Sequence, residues 1–86
     1  MSVMVFYKPA SEHTRVVEEY LHDFLRRTSV NLETIDPDTV RGADLCRLYD
    51  IVEYPTIVAT GIDGRMKNSW RGVPLPTIDE VSYYVR

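Results

Sequence analysis

Apolar positions fall into two rhythms along this chain, one continuous and one helical. Val3, Met4, Val5, Phe6 and Tyr7 form an unbroken apolar run closed by Lys8-Pro9. A run without alternation fits a strand buried on both faces. Val16, Val17, Tyr20, Leu21, Phe24 and Leu25 then recur at helical spacing, with Glu18, Glu19, His22, Asp23, Arg26 and Arg27 on the wet face. The spacing predicts a helix from about Ser11 to Thr28. Ser11 stands where an N-cap belongs, Glu12 in the first turn, and Arg26 and Arg27 in the last, which suits the helix dipole. Val30, Leu32 and Ile35 predict a short strand. Asp36-Pro37-Asp38 breaks it and offers a cap to a second helix over roughly Thr39 to Tyr49, carrying Val40, Ala43, Leu45, Leu48 and Tyr49. Gly42 weakens that helix by about 1 kcal/mol relative to Ala.

The second half turns to β-patterning. Tyr54-Pro55 precedes Thr56 to Thr60, rich in β-branched residues. Gly61-Ile62-Asp63-Gly64 reads as a hairpin turn, and Arg65 to Arg71 as a more polar return strand at a sheet edge. Gly72 to Pro76 reads as a loop. Thr77-Ile78-Asp79-Glu80 has the form of a capping box and opens a last helix bearing Ile78, Val81, Tyr84 and Val85. The order is β-α-β-α-β-β-α. A β-α-β unit calls for a right-handed parallel crossover, and the hairpin for an antiparallel final pair. The expected architecture is α/β, a mixed four-stranded sheet with helices on both faces, in one domain over residues 1–86.

Composition narrows the function classes. The 86 residues carry a net charge of -3 with both signs interspersed, so the basic stripe of a nucleic-acid binder is missing. No apolar run approaches the roughly 18 residues of a membrane span. The N-terminal apolar stretch is short and lacks a basic flank, so it reads as a strand rather than a signal peptide. The expected compartment is therefore the cytoplasm. Cys46 is the one cysteine. It cannot form an internal disulfide, and no Cys/His cluster has metal-ligand spacing.

This order, with a proline just before the third strand, resembles the thioredoxin and glutaredoxin families. Asp36-Pro37-Asp38-Thr39, then Leu45, Leu48-Tyr49-Asp50-Ile51 and Tyr54-Pro55-Thr56, is similar to the acidic turn, second helix and cis-proline segment of those proteins. Asp63-Gly64 and Trp70-Arg71-Gly72 resemble their hairpin and the glycine after the last strand. Phe6-Tyr7-Lys8-Pro9 resembles the end of the first strand, just before the active site. The resemblance covers essentially the whole chain. It implies a thioredoxin-like fold with a cis bond before Pro55, but not one function, since this fold hosts many. It also places the family's Cys-x-x-Cys across Ser11 and Thr14, where this chain reads Ser11-Glu12-His13-Thr14. Hydroxyls stand where both sulfurs would be.

That replacement changes the chemistry. Disulfide exchange needs a thiolate and a second thiol to resolve the mixed disulfide. A free thiol ionises near a pKa of about 8.5, whereas an alcohol lies nearer water, at about 15.7. The gap of about 7 units is on the order of 10 kcal/mol. A helix N-terminus contributes up to about 2 kcal/mol toward an anion, too little to close it. What the resemblance leaves is a groove. The residue before the proline pairs with an extended peptide or with glutathione in a strand-like way. Pro9, Ala10, Ser11, His13, Tyr54, Pro55, Gly72 and Val73 would wall it.

Each of these residues also has a structural reading. Ser11 is an N-cap, or else a hydroxyl that activates a bound thiol as in some glutathione transferases. His13 is a solvated first-turn residue, or else a hydrogen-bond donor or a base for Ser11. Cys46 is a half-buried residue at the core edge, or else a lone redox or intermolecular thiol. Trp70, Tyr83 and Tyr84 are core-edge aromatics, or else an exposed patch for self-association. The reading these features favour is a non-catalytic thioredoxin-like domain, without metal or obligate cofactor. It would bind a peptide, a protein or a small thiol at the groove, as a monomer or weak homodimer. The alternative is a glutathione-dependent or single-cysteine redox protein acting in cell redox homeostasis.

Overall fold

The computed structural model describes residues 2–85; Met1 and Arg86, the two ends of the expected domain, lie outside them. The elements are β1 (Ser2–Phe6), α1 (Thr14–Thr28), β2 (Glu33–Ile35), α2 (Val40–Leu48), β3 (Thr56–Thr60), β4 (Met66–Arg71) and α3 (Ile78–Ser82), followed by a 3₁₀ turn over Tyr83–Val85. The sheet order is β2-β1-β3-β4. β1 runs parallel to β2 and antiparallel to β3, which pairs antiparallel with β4.

The continuous apolar run of β1 is explained by its central place. Val3 and Val5 join Ile57 and Ala59 on one face, against Val17 and Phe24 of α1 and Val81 of α3. Met4, Phe6 and Val58 point the other way, to Ile35, Ile51 and the half-buried Leu45 and Cys46 of α2. Both faces are covered, so alternate residues of β1 and β3 are buried alike. Each fully buried side chain such as Phe6 or Phe24 contributes about 1.5–3 kcal/mol. The two threonines of β3 are buried with partners: Thr56 Oγ1 donates to the Glu53 carbonyl (2.7 Å), and Thr60 Oγ1 lies 2.9 Å from Ser2 Oγ.

Several boundaries differ from the sequence expectation. α1 begins at Thr14, not Ser11. Ser11 is not its cap, and no acidic residue occupies its first turn; the N-cap is His13, without a side-chain cap bond. The reason is local: the Ser11 N–H and hydroxyl both turn back to the Lys8 carbonyl, holding residues 8–13 as turns. β2 is limited to Glu33–Ile35, and Leu32 is buried just ahead of it. The cap of α2 is Thr39, whose hydroxyl accepts from the Gly42 N–H (2.9 Å). Asp36 instead accepts from the Asp38 N–H within its own turn. Val40 and Leu48 are exposed, as is Tyr83, whereas Trp70 and Tyr84 pack edge to face at the first cluster. The capping box is present: Thr77 Oγ1 accepts from the Glu80 N–H, and Glu80 Oε1 from the Thr77 N–H. Gly64, at φ 79°, supplies the left-handed residue of the hairpin turn.

Candidate functional site

The chain leaves β1 at Phe6 and tightens into a loop whose hub is the Lys8 carbonyl. The Ser11 hydroxyl donates to it at 2.7 Å and the Ser11 N–H at 3.2 Å. Thr14 Oγ1 lies 2.9 Å from the same oxygen and 2.8 Å from the Pro9 carbonyl, one proton serving two acceptors, and itself accepts from the Ser11 N–H. The two hydroxyl oxygens are 3.3 Å apart. These groups are therefore spent on loop geometry. The Ser11 proton goes to a carbonyl and not to His13, so no nucleophile–base pair is formed here.

The opposite wall comes from the start of β3. The Tyr54–Pro55 bond is cis, as is Val73–Pro74. Gly72, at φ 73°, donates its N–H to the Pro55 carbonyl (2.7 Å), which brings the following Val73 alongside Pro55. A cleft of about 340 Å³ lies between Glu12, His13 and Val16 on one side and Tyr54, Pro55 and Val73 on the other. That is the small end of the range for ligand sites, roughly 300–1,000 Å³, and suits one or two side chains. Of the expected walls, His13, Tyr54, Pro55 and Val73 line it. Pro9, Ala10, Ser11 and Gly72 do not. Glu12 and Val16 do line it and were not anticipated. Val16 sits three residues after His13, the spacing that puts two helical residues on one face.

A larger depression, about 710 Å³, runs beside Ser11, Thr14, Arg15, Glu18, His22 and neighbours. All its residues come from one continuous segment, so no second element closes it. It is the solvated flank of α1, and the small cleft is the better-formed site.

Tyr54 joins the cleft to the second core cluster. Its hydroxyl lies 3.5 Å from Cys46 Sγ, and Lys8 Nζ sits over its ring, 5.4 Å from the centroid. Lys8 Nζ also lies 4.0 Å from an Asp38 carboxylate oxygen. The Tyr54 hydroxyl is pushed up to about 12, first by its hydrogen bond with Cys46, then by desolvation and by the negative charges that Cys46 and Asp38 can present. Cys46 is half-buried. Lys8 and Asp38 were legible in the sequence only as the end of a strand and part of a turn. Their meeting at Tyr54 depends on tertiary packing. His13 Nε2 is sealed from solvent without a hydrogen-bond partner. Among the described residues there is no group of three or more His, Cys, Asp or Glu placed to hold a metal ion, and no helix is long and apolar enough to cross a membrane.

No protein-family model matches the sequence, and no curated protein matches it. Solved structures do. Thioredoxin 1 from the thermophilic eubacterium Thermosipho africanus superposes with a TM-score of 0.68 at 12% identity, covering 99% of this chain and 90% of that one. Mitochondrial thioredoxin 3 from Saccharomyces cerevisiae, in its oxidized form, gives 0.68 at 18% identity, over 94% of this chain and 72% of that one. A mutant of a thioredoxin-like protein gives 0.57 at 22% identity, over 99% of this chain and 100% of its own length. With a β2-β1-β3-β4 mixed sheet, α1 and α3 on one face and α2 on the other, this chain has the thioredoxin-like fold.

Proposed function

We propose that the protein is a non-catalytic thioredoxin-like module that binds an extended peptide or protein segment in the cleft between the start of α1 and the Tyr54–Pro55 corner. The observation that carries this reading is the pairing of an open cleft with hydroxyls that are committed elsewhere. By the resemblance, Ser11 and Thr14 stand for the family's thiols; the Ser11 hydroxyl is bonded to the Lys8 carbonyl, and the Thr14 hydroxyl to the Lys8 and Pro9 carbonyls. The cleft beside them keeps an apolar lining of Val16, Pro55 and Val73.

The test uses peptides selected for binding to the purified protein from a random display library. Val73 is 62% exposed, so Val73→Asp alters the cleft without disturbing the core. Selected peptides are expected to lose at least about tenfold in affinity on Val73→Asp, the loss of roughly 1.4 kcal/mol, and to keep it on Cys46→Ser. Peptides that bind Val73→Asp undiminished would place binding elsewhere. In parallel, the protein is expected not to accelerate the reduction of insulin disulfides; acceleration overturns the non-catalytic reading.

A second reading is favoured by one distance. Cys46 Sγ lies 3.5 Å from the hydroxyl of a cleft residue, Tyr54. A single-cysteine, glutathione-linked role would have the Cys46 thiolate attack glutathione disulfide, forming a mixed disulfide and releasing one glutathione. A glutathione adduct on the intact protein by mass spectrometry, lost in Cys46→Ser, would support that reading over the first.

A further inference from the structure

β4 ends the sheet on one side and, among the described residues, pairs with β3 alone. The Gly72 N–H bonds to the Pro55 carbonyl, and the Gly61 N–H to the Arg65 carbonyl. Bonded pairs recur at every second position of an antiparallel ladder, and the irregularity at Ala59/Thr60 shifts the count by one, so Trp70 and Asn68 bond toward β3. Ser69 and Arg71 therefore turn their N–H and carbonyl groups away from the sheet. The Ser69 N–H is held by Asn68 Oδ1 at 2.8 Å, as suits a donor with no strand beside it. Charge singles this edge out. No acidic residue falls between Gly64 and Ile78, where Arg65, Lys67 and Arg71 stand, in a chain of net charge -3. Arg65 lies 3.8 Å from Asp63. Lys67 and Arg71 are exposed and, among the described residues, have no carboxylate partner.

A second copy fits this edge poorly. Two β4 strands paired antiparallel about Ser69 would set Lys67 opposite Arg71, like charge against like. The copy's β2 edge has three residues, and its Glu33 is already paired with Arg41. We propose that β4 docks an extended acidic segment of a partner protein, added to the sheet as a further strand. Acidic residues stand opposite Arg71 and toward Lys67, and alternate with apolar ones beside the half-buried Trp70, which packs on Tyr84. The outward backbone groups account for the strand form, the two cations for the acidic positions, and the indole for the apolar ones. No residue of β4 lines the cleft, so this docking is separate from peptide binding there.

The experiment is an NMR titration of the full 86-residue chain with capped pentapeptides. The first is acetyl-Glu-Val-Glu-Val-Glu-amide, and the second has lysine in place of each glutamate. Two more are the acidic peptide N-methylated at its glutamates or at its valines. A strand lying beside β4 turns its glutamate N–H groups toward Ser69 and Arg71 and its valine N–H groups toward water. The acidic peptide and its valine-methylated form are therefore expected to shift the Ser69 and Arg71 amides and to slow hydrogen exchange at Arg71. The glutamate-methylated and lysine peptides should not. Lys67→Glu should weaken the acidic peptide about threefold or more, through one attractive pair turned repulsive, and added salt should weaken its binding to wild type. If the glutamate-methylated peptide binds as well as the parent, charge acts without strand addition and the proposal is overturned. It is equally overturned if a single-stranded pentanucleotide shifts the same amides more strongly than the acidic peptide. If the acidic peptide moves only Val16, Tyr54 and Val73, or nothing at millimolar concentration, β4 is not a docking edge.

Discussion

Tyr54 is held by three neighbours at once: the Cys46 thiol at its hydroxyl, the Lys8 ammonium over its ring, and the Pro55 ring that follows it in the chain. The hydrogen bond and the partial loss of water both favour the neutral phenol, which is why its ionisation is pushed up to about 12. Tyr20 is also raised to about 12, by burial first and by the Glu80 charge second. Both values exceed the unfolded tyrosine value of 10.0, so below pH 10 their neutral forms stabilise the fold in full. As pH rises from 10 toward 12, the unfolded chain ionises first and this stabilisation is lost. An absorbance titration of tyrosinate should therefore show these two ionising late, with Tyr7 also raised, by burial first and by the Glu18 charge second. Cys46→Ala should bring one of them down, because the bond to Cys46 is the largest cause for Tyr54. A late pair left unchanged by Cys46→Ala would refute that assignment. Composition could announce the tyrosines but not this one's environment, since Lys8, Cys46 and Tyr54 lie on three different segments.

Among the elements, α2 shows where a local rule reads a residue backward. By propensity, Gly42 weakens the helix, and replacement by Ala should stabilise it by about 1 kcal/mol. A Cβ at this position, however, would stand 1.8 Å from the Asp36 carbonyl oxygen and 2.7 Å from its carbon. The obstacle is backbone, held by the Thr39 N–H and hydroxyl, which both donate to that oxygen. Gly42→Ala is accordingly expected to destabilise the protein by about 1–3 kcal/mol, the usual cost of forcing extra atoms into a packed site. Urea denaturation decides the sign, and a gain in stability would refute the close approach. The same logic separates what was legible from what was not. β3, the hairpin turn and the capping box follow from short-range patterns, and the structure has them where the pattern puts them. The start of α1 does not, because Ser11 had two competing uses for its hydroxyl. The sequence cannot rank a helix cap against a loop carbonyl three residues back in the chain.

Across the whole molecule, scaffold and chemistry come apart. The β2-β1-β3-β4 sheet and its two-sided helical cover are encoded redundantly, by buried runs in β1 and β3, by the amphipathic stripe of α1 and by turn residues between them. Such encoding survives at 12–22% identity to solved thioredoxin-fold chains. Chemistry rests on far fewer atoms. The oxygens of Ser11 and Thr14 approach to 3.3 Å, three residues apart, at the mouth of α1. Whether their β-carbons also stand at the spacing a disulfide requires is what replacement of both by cysteine tests. The loop carbonyls they now satisfy belong to Lys8 and Pro9, both exposed, so water can take over those bonds. The double variant Ser11→Cys with Thr14→Cys is therefore expected to fold, and to form an internal disulfide under mild oxidation. Thiol titration should then find one free sulfhydryl, that of Cys46, where the reduced variant shows three. The reduced variant is further expected to accelerate insulin reduction, in contrast to the outcome expected of wild type, because the nearby N-terminus of α1 favours the thiolate at either position. A variant that folds yet keeps three free thiols after oxidation would mean that the loop itself, and not the missing sulfur, has departed from the geometry of dithiol exchange.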